Sequence, residues 1–253
     1  MDAEPRHDPS GGPVRVAVWS GPRNLSTAMM RAWENREDCL VVDEPLYASY
    51  LARTGLDHPG REEVLMAQPT DPAAAVRRLL RPLPVGVRVQ YAKQMAHHLA
   101  PDLAPDVELT WTTAFRNVLL IRDPAEVVAS YVRSRESCEP ADIGVLQQVR
   151  LLDAWAEPPP VIDAGDFLRD PERYLRWLCE WLEVPFSRHM LSWPAGPRDS
   201  DGVWAPYWYD AVWRSTGFEP WRPRQVSLSE HDAAVAEACR PAYDRLSALR
   251  LRL

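Results

Sequence analysis

Lysine is almost absent from this chain: of 29 basic residues, 28 are arginine and one, Lys93, is lysine. A Gly-Lys-Ser/Thr loop of the triphosphate-binding kind is therefore missing, and with it the lysine that reaches β- and γ-phosphates. The arginine bias is compositional, so arginine counts alone say little. Nowhere does an apolar run approach the ~20 residues that span a bilayer, and the first residues lack the apolar core of a secretory leader. Cys39, Cys138, Cys179 and Cys239 are scattered without paired spacing. That argues against a zinc site or a disulfide framework and for reduced thiols, several of them buried. A formal charge of -7 gives nucleic acid no default footing. These absences describe a cytoplasmic protein with neither a nucleic-acid nor a membrane partner; a homodimer stays open.

What is present begins at Val14. Residues 1–13 read as a disordered polar tail, and residues 14–253 as one α/β domain, long enough for a five-stranded sheet and its helices. Val14, Val16 and Val18 alternate with Arg15 and Ala17, the pattern of a short buried strand. It runs into Ser20-Gly21-Pro22-Arg23-Asn24-Leu25-Ser26-Thr27, and an amphipathic helix opens at Ser26. A tight loop between strand and helix turns several backbone N–H groups toward one spot at the positive end of the helix dipole, where an anion fits. Arg23 adds a guanidinium, and Ser26 and Thr27 add hydroxyls. The plainer reading is an ordinary turn capped by Ser26 or Asn24.

A second unit of this kind lies about a hundred residues on. Asn117 to Ile121 is an apolar strand, Asp123 suits an N-cap and Pro124 the first helical position. Val127, Val128 and Tyr131 should face the sheet, with Ser130 on the other side. Arg122 then stands at the carboxyl end of a strand, where open α/β sheets bind ligands. Its plainer role is an ion pair with Asp123 or Glu126.

Arg122 and Ser130, eight residues apart, resemble the 3′-phosphate signature of sulfotransferases that use 3′-phosphoadenosine 5′-phosphosulfate (PAPS). The Ser20–Thr27 loop resembles their 5′-phosphosulfate loop, in a Pro-Arg form common among bacterial members. The segments Val41–Tyr47, Tyr91–His98, Leu191–Arg198 and Asp201–Tyr209 resemble a bacterial sulfotransferase-like family, some members of which carry aminotransferase-like names. The resemblance runs from about Val14 to Tyr243. It implies a P-loop-type parallel sheet of about five strands with helices on both faces, PAPS as donor, 3′-phosphoadenosine 5′-phosphate (PAP) as product, and no metal. It further implies a small-molecule acceptor offering a hydroxyl or an amine.

On that resemblance, Arg23 and its loop serve the 5′-phosphosulfate, while Arg122 and Ser130 serve the 3′-phosphate. Arg198, in Gly196-Pro197-Arg198, is a candidate for the late basic stretch that touches the 3′-phosphate. Lys93 would assist the leaving group. Three residues compete as general base. Glu44, after the second strand, is favoured slightly; His97 is close behind, and His98 is its neighbour. A histidine titrates near neutrality unaided, whereas Glu44 needs desolvation. Asp43 is an orienting neighbour or a cap.

The remaining elements alternate. Helices are expected to about Arg53, over Asp71–Arg81, after Lys93, over Pro124–Arg135, Ile143–Trp155, Pro171–Glu183 and Glu230–Leu249. Strands are expected ahead of Lys93 and at Val161–Asp163. Residues 191–224 form an aromatic-rich segment that serves as packing or as an acceptor pocket. Three rivals stay open: an ATP-dependent small-molecule kinase on the same scaffold, a non-catalytic phosphoadenosine-nucleotide binder, and a pyridoxal enzyme acting through Lys93.

Overall fold

The computed structural model describes residues 12–99, 109–133, 138–223 and 225–253. The expected polar tail lies outside them except for its last two residues.

Five strands form one parallel sheet: β1 (Val14–Ser20), β2 (Cys39–Asp43), β3 (Val89–Met95), β4 (Arg116–Ile121) and β5 (Val161–Asp163), in the order β2-β3-β1-β4-β5. Parallel neighbours require crossovers, and helices supply them: α1 (Ser26–Glu34), α2 (Tyr47–Thr54), α3 (Arg61–Ala67), α4 (Pro72–Leu79), α5 (Pro124–Tyr131), α6 (Val145–Ala154), α7 (Ala164–Arg169) and α8 (Pro171–Trp181). They are followed by two single-turn helices, α9 (Ala205–Trp208) and α10 (Asp210–Trp213), and by the long α11 (Glu230–Ser247).

Alternation along the strands sorts side chains onto two faces. Val16, Val18, Val118, Leu120 and Ile162 join a core with Met30 and Trp33 of α1, Leu51 of α2 and Leu175 of α8. The intervening Ala17, Trp19, Leu119 and Ile121 pack with Val128 of α5, Leu151 of α6, and Cys239 and Leu246 of α11. Each large apolar side chain so buried stabilises the fold by about 1.5–3 kcal/mol. Among the described residues, no helix is long and apolar enough to cross a membrane. The four cysteines are free, three of them buried.

Several elements depart from expectation. Lys93 does not end a strand: β3 begins at Val89, after an exposed Pro84–Val87 turn, and carries Lys93 in its interior through to Met95. In the described residues that follow directly, a single 3-10 turn, Ala96–Leu99, stands where an α-helix is expected. Two carboxylates reward the burial of this lysine, a tertiary cause that local polarity hides. Helix α3 occupies a passage that reads as Pro/Gly-rich connection, and α7 lies between β5 and α8. Helix α5 stops at Tyr131, which is half-buried, whereas Ser130 is buried. The last residues of the expected Pro124–Arg135 helix, 134 and 135, lie outside the described residues.

Candidate active site

Two chemically different clusters stand side by side along the carboxyl edge of the sheet. The first gathers where β1 and β4 end. Gly21 follows β1 in close contact with the turn before α6, and a Cβ there would meet the Ile143 carbonyl oxygen at 2.0 Å. Only glycine fits. Beyond it, Arg23 (φ 54°) and Leu25 (φ 30°) occupy the left-handed region that non-glycine residues avoid. Leu25 is the N-cap of α1 and offers no capping side chain, so neither Ser26 nor Asn24 acts as the expected cap. Ser26 N–H donates to the Asn24 carbonyl, and the N–H groups of Thr27 and Ala28 are left open to a ligand. Asn24 is buried instead; its amide donates to the Leu120 carbonyl at 2.7 Å, while its Oδ1 has no partner.

Arg122 arrives from the end of β4. Its Nε and Nη2 donate to Glu126 Oε2 at 2.9 and 2.7 Å, and its Nη1 donates to the Arg23 carbonyl at 2.8 Å. The plain ion pair with Glu126 therefore forms, and it aims the guanidinium at the loop. Asp123 takes the other course: it caps α5 through the Ala125 N–H and pairs with Arg240. Arg23 Nε donates to Ser130 Oγ at 3.1 Å. Burial, with Arg133 and Arg122 nearby, lowers the Arg23 pKa. Cations this close call for an anion between them.

The second cluster lies where β2 and β3 run side by side. Asp43 and Lys93 are register partners. Lys93 is 1 % exposed, and its Nζ donates to Asp43 Oδ1 at 3.0 Å and to Glu44 Oε1 at 2.6 Å. Its third hydrogen bond goes to the Tyr209 hydroxyl, which donates in turn to Asp43 and accepts from Trp204 Nε1 at 3.1 Å. All three ammonium hydrogens are used. Burial pulls the Lys93 pKa down, but the two carboxylates outweigh it and the net shift is upward. Burial raises Glu44, against the pull of Lys93. Glu44 also has left-handed backbone (φ 39°), held by its own N–H to the Lys93 carbonyl and by Gln68 Nε2 to its carbonyl oxygen.

The two histidines stand next to Glu44. His98 Nε2 lies 3.9 Å from Glu44 Oε2, and its ring stacks on Tyr47 and Tyr50 with centroids 4.8 Å away in each case. Burial pushes His98 well below the ordinary histidine range and His97 down to about 3.

One cavity of about 890 Å³ joins both clusters, within the ~300–1,000 Å³ of typical ligand clefts. Pro22 to Thr27, Glu44, Lys93, His97, His98, Arg122 and Ser130 line it. Ser20 and Gly21 shape the loop from behind without lining the cavity. Arg198 does not line it either; its backbone N–H donates to Asp201 and its guanidinium reaches the Pro194 carbonyl. From the aromatic segment, Trp208, Tyr209, Phe218 and Trp221 do line the cavity, while Trp193 and Trp204 are buried core.

A family model for a sulfotransferase domain matches residues 14–249. The chain belongs to the sulfotransferase family. Over 239 residues this sulfotransferase-family protein is 34% identical to branched-chain-amino-acid aminotransferase-like protein 2 of Arabidopsis thaliana, covering 91% of this chain and 41% of the relative. With the corresponding protein 1 of that plant the identity is 36% over 242 residues, covering 92% and 42%. The chain thus spans about two fifths of the length of these curated relatives. In three dimensions it superimposes on a sulfotransferase domain from the curacin biosynthetic pathway with a TM-score of 0.55 at 16% identity, covering 91% of this chain and 99% of that one. That likeness is one of fold.

Within this sulfotransferase fold, Tyr209 and His58 line the cavity, and sequence reasoning gave neither an individual role. Tyr209 was one aromatic among eight in residues 193–221. Its partners Asp43 and Lys93 lie more than a hundred residues away, so no local spacing announces it.

Proposed function

We propose that this protein transfers a sulfuryl group from PAPS to a hydroxyl or amine of a small-molecule acceptor. The observation that carries the reading is the convergence of Arg23, Ser130 and Arg122 beside the open N-terminus of α1, in one cavity with Glu44 and Lys93. The residues suit such a donor. The α1 N-terminus and Arg23 take the 5′-phosphosulfate; Arg122 and Ser130 take the 3′-phosphate. The mutual repulsion of Arg23, Arg122 and Arg133 is what a bound polyanion would relieve.

Chemically, an acceptor lone pair attacks sulfur as the bond from sulfur to the bridging phosphate oxygen breaks, and PAP leaves with that electron pair. In such a loose transition state, positioning and charge stabilisation dominate. Arg23 and the loop N–H groups meet the charge that grows on the leaving oxygens. Glu44 is the base: its pKa lies above the usual carboxylate range, whereas an imidazole held near 3, as in His97, accepts protons poorly. Lys93 has no free ammonium hydrogen in this arrangement, so its part is to orient Glu44 rather than to assist the leaving group.

Calorimetric titration with PAP beside AMP, ADP and Mg·ATP tests the donor. Micromolar or tighter binding that needs the 3′-phosphate supports it; preference for Mg·ATP, or no binding at all, overturns it.

A further inference from the structure

The cavity is electrostatically divided, and the division bears on what the acceptor is. Strand order places the ends of β1 and β4 beside each other and those of β2 and β3 on the other side of β1. The arginines Arg23 and Arg122 belong to the first side. The second side holds two buried carboxylates, Asp43 and Glu44, against a single ammonium, Lys93. With Tyr209 and His98 both uncharged, that side carries one unbalanced negative charge away from water. Such a deficit is costly until a proton or a cation meets it.

Geometry favours the cation. Glu44 Oε1 is taken by Lys93, which leaves Oε2, and Oε2 lies 3.9 Å from His98 Nε2. That separation is too long for a hydrogen bond between them. An atom placed between them can lie about 2.8 Å from both, the distance of a charge-assisted hydrogen bond. His98 is 7 % exposed, lines the cavity, and has an Nδ1 without a hydrogen-bond partner. Two acceptors so spaced suit a donor with two N–H bonds to give. A hydroxyl has only one. Tyr47 and Trp208, also in the lining, supply aromatic surface that attracts a cation.

We propose, resting on the sulfuryl-transfer reading, that the acceptor is a primary ammonium ion whose nitrogen sits between Glu44 Oε2 and His98 Nε2. Its first proton passes to Glu44. The freed nitrogen lone pair then forms the N–S bond as the bond from sulfur to the bridging phosphate oxygen breaks, with the electron pair leaving on PAP. A second N–H proton is released afterwards, giving a sulfamate. Alcohols and carboxylates of the same shape are the wrong ligands for this end of the cavity.

The test is calorimetry on the full chain saturated with PAP, with benzylamine, benzyl alcohol and benzoate as probes. Benzylamine is expected to bind at least about ten-fold more tightly than the alcohol, benzoate more weakly still, and Glu44→Gln to abolish the preference. An alcohol that binds as well as the amine overturns the proposal. So does the absence of measurable amine binding, or a preference that persists in a folded Glu44→Gln protein. The wild-type comparison decides the matter even where the variant does not fold. If PAP itself fails to bind, the donor reading falls; the same three probes, titrated into nucleotide-free protein, still decide for or against an ammonium site.

Discussion

Lys93 Nζ lies 2.6 Å from Glu44 Oε1, with both side chains almost wholly withdrawn from water. The single lysine of the chain thus holds together the end of β2 and the middle of β3 and fixes the carboxylate assigned as base. Removing it leaves Asp43 and Glu44 buried without a counter-charge. Lys93→Met should therefore lower stability by about 3–5 kcal/mol, the usual cost of breaking one side of a buried pair. Urea unfolding reads this directly. Adding Asp43→Asn to Lys93→Met should recover part of the loss, since it removes one of the stranded charges. An unchanged midpoint for Lys93→Met would show that the cluster is not carrying charge.

Ser130 and Arg122 test the other cluster. Losing the hydroxyl or the guanidinium should weaken PAP binding by about 1–3 kcal/mol each. AMP, which lacks the 3′-phosphate, should bind the wild type and the Ser130→Ala protein alike. Glu126 is the internal control. It pairs with Arg122 at 2.7 Å, and Glu126→Gln should release the arginine without abolishing PAP affinity. Equal losses for PAP and AMP in Ser130→Ala would move this serine away from the 3′ position.

How much of this was legible beforehand follows from where each signal resides. The β1 loop and the Ile121–Arg122–Asp123 junction are local: strand alternation, a Gly-Pro turn, and a cap followed by proline lie within a dozen residues of one another. Local rules therefore located Arg23 and Arg122, the family resemblance singled out Ser130, and the fold brings the three together. Lys93 was picked out by rarity alone, and its position inside β3 depends on Asp43 of a neighbouring strand. Tyr209 is farther still from its partners. A phenol hydroxyl that bridges Asp43 and Lys93 across more than a hundred residues leaves no spacing in the chain. Arg198 shows the converse, a plausible local motif whose side chain is turned to Pro194 instead of the cavity.

His97 gives a pH dependence with a defined sign. Its folded-state pKa of about 3 lies below the ordinary 6.5. Between those values the unfolded chain binds a proton that the folded chain refuses, so stability rises with pH. The contribution is complete above about 6.5 and is lost as the pH falls toward about 3. At ~1.4 kcal/mol per pH unit, acidifying from about 6.5 to about 5 should cost at most about 2 kcal/mol from this residue. His98, shifted the same way by burial, adds to the slope. Unfolding curves at the two pH values for wild type and His97→Gln isolate the His97 share. The variant should lose less on acidification, and equal losses in the two proteins would contradict an imidazole kept neutral by the fold.

Gly21 links loop geometry to the ligand. A methyl group at this position would stand 2.0 Å from the Ile143 carbonyl oxygen, which is backbone and cannot swing aside. Gly21→Ala must therefore push the loop away from the turn that opens α6, at a cost of about 1–3 kcal/mol. The displaced loop carries Arg23 and the open N–H groups at the start of α1, so PAP affinity should fall together with stability. Gly12→Ala is the matched control, because a methyl there meets nothing within 4 Å. It should leave both the melting temperature and PAP affinity unchanged. If Gly21→Ala lost stability yet bound PAP as tightly as wild type, the loop would not be the cradle for the nucleotide's 5′ end. Should both properties fall together, the close approach of two backbones behind the loop is what holds its N–H groups in place.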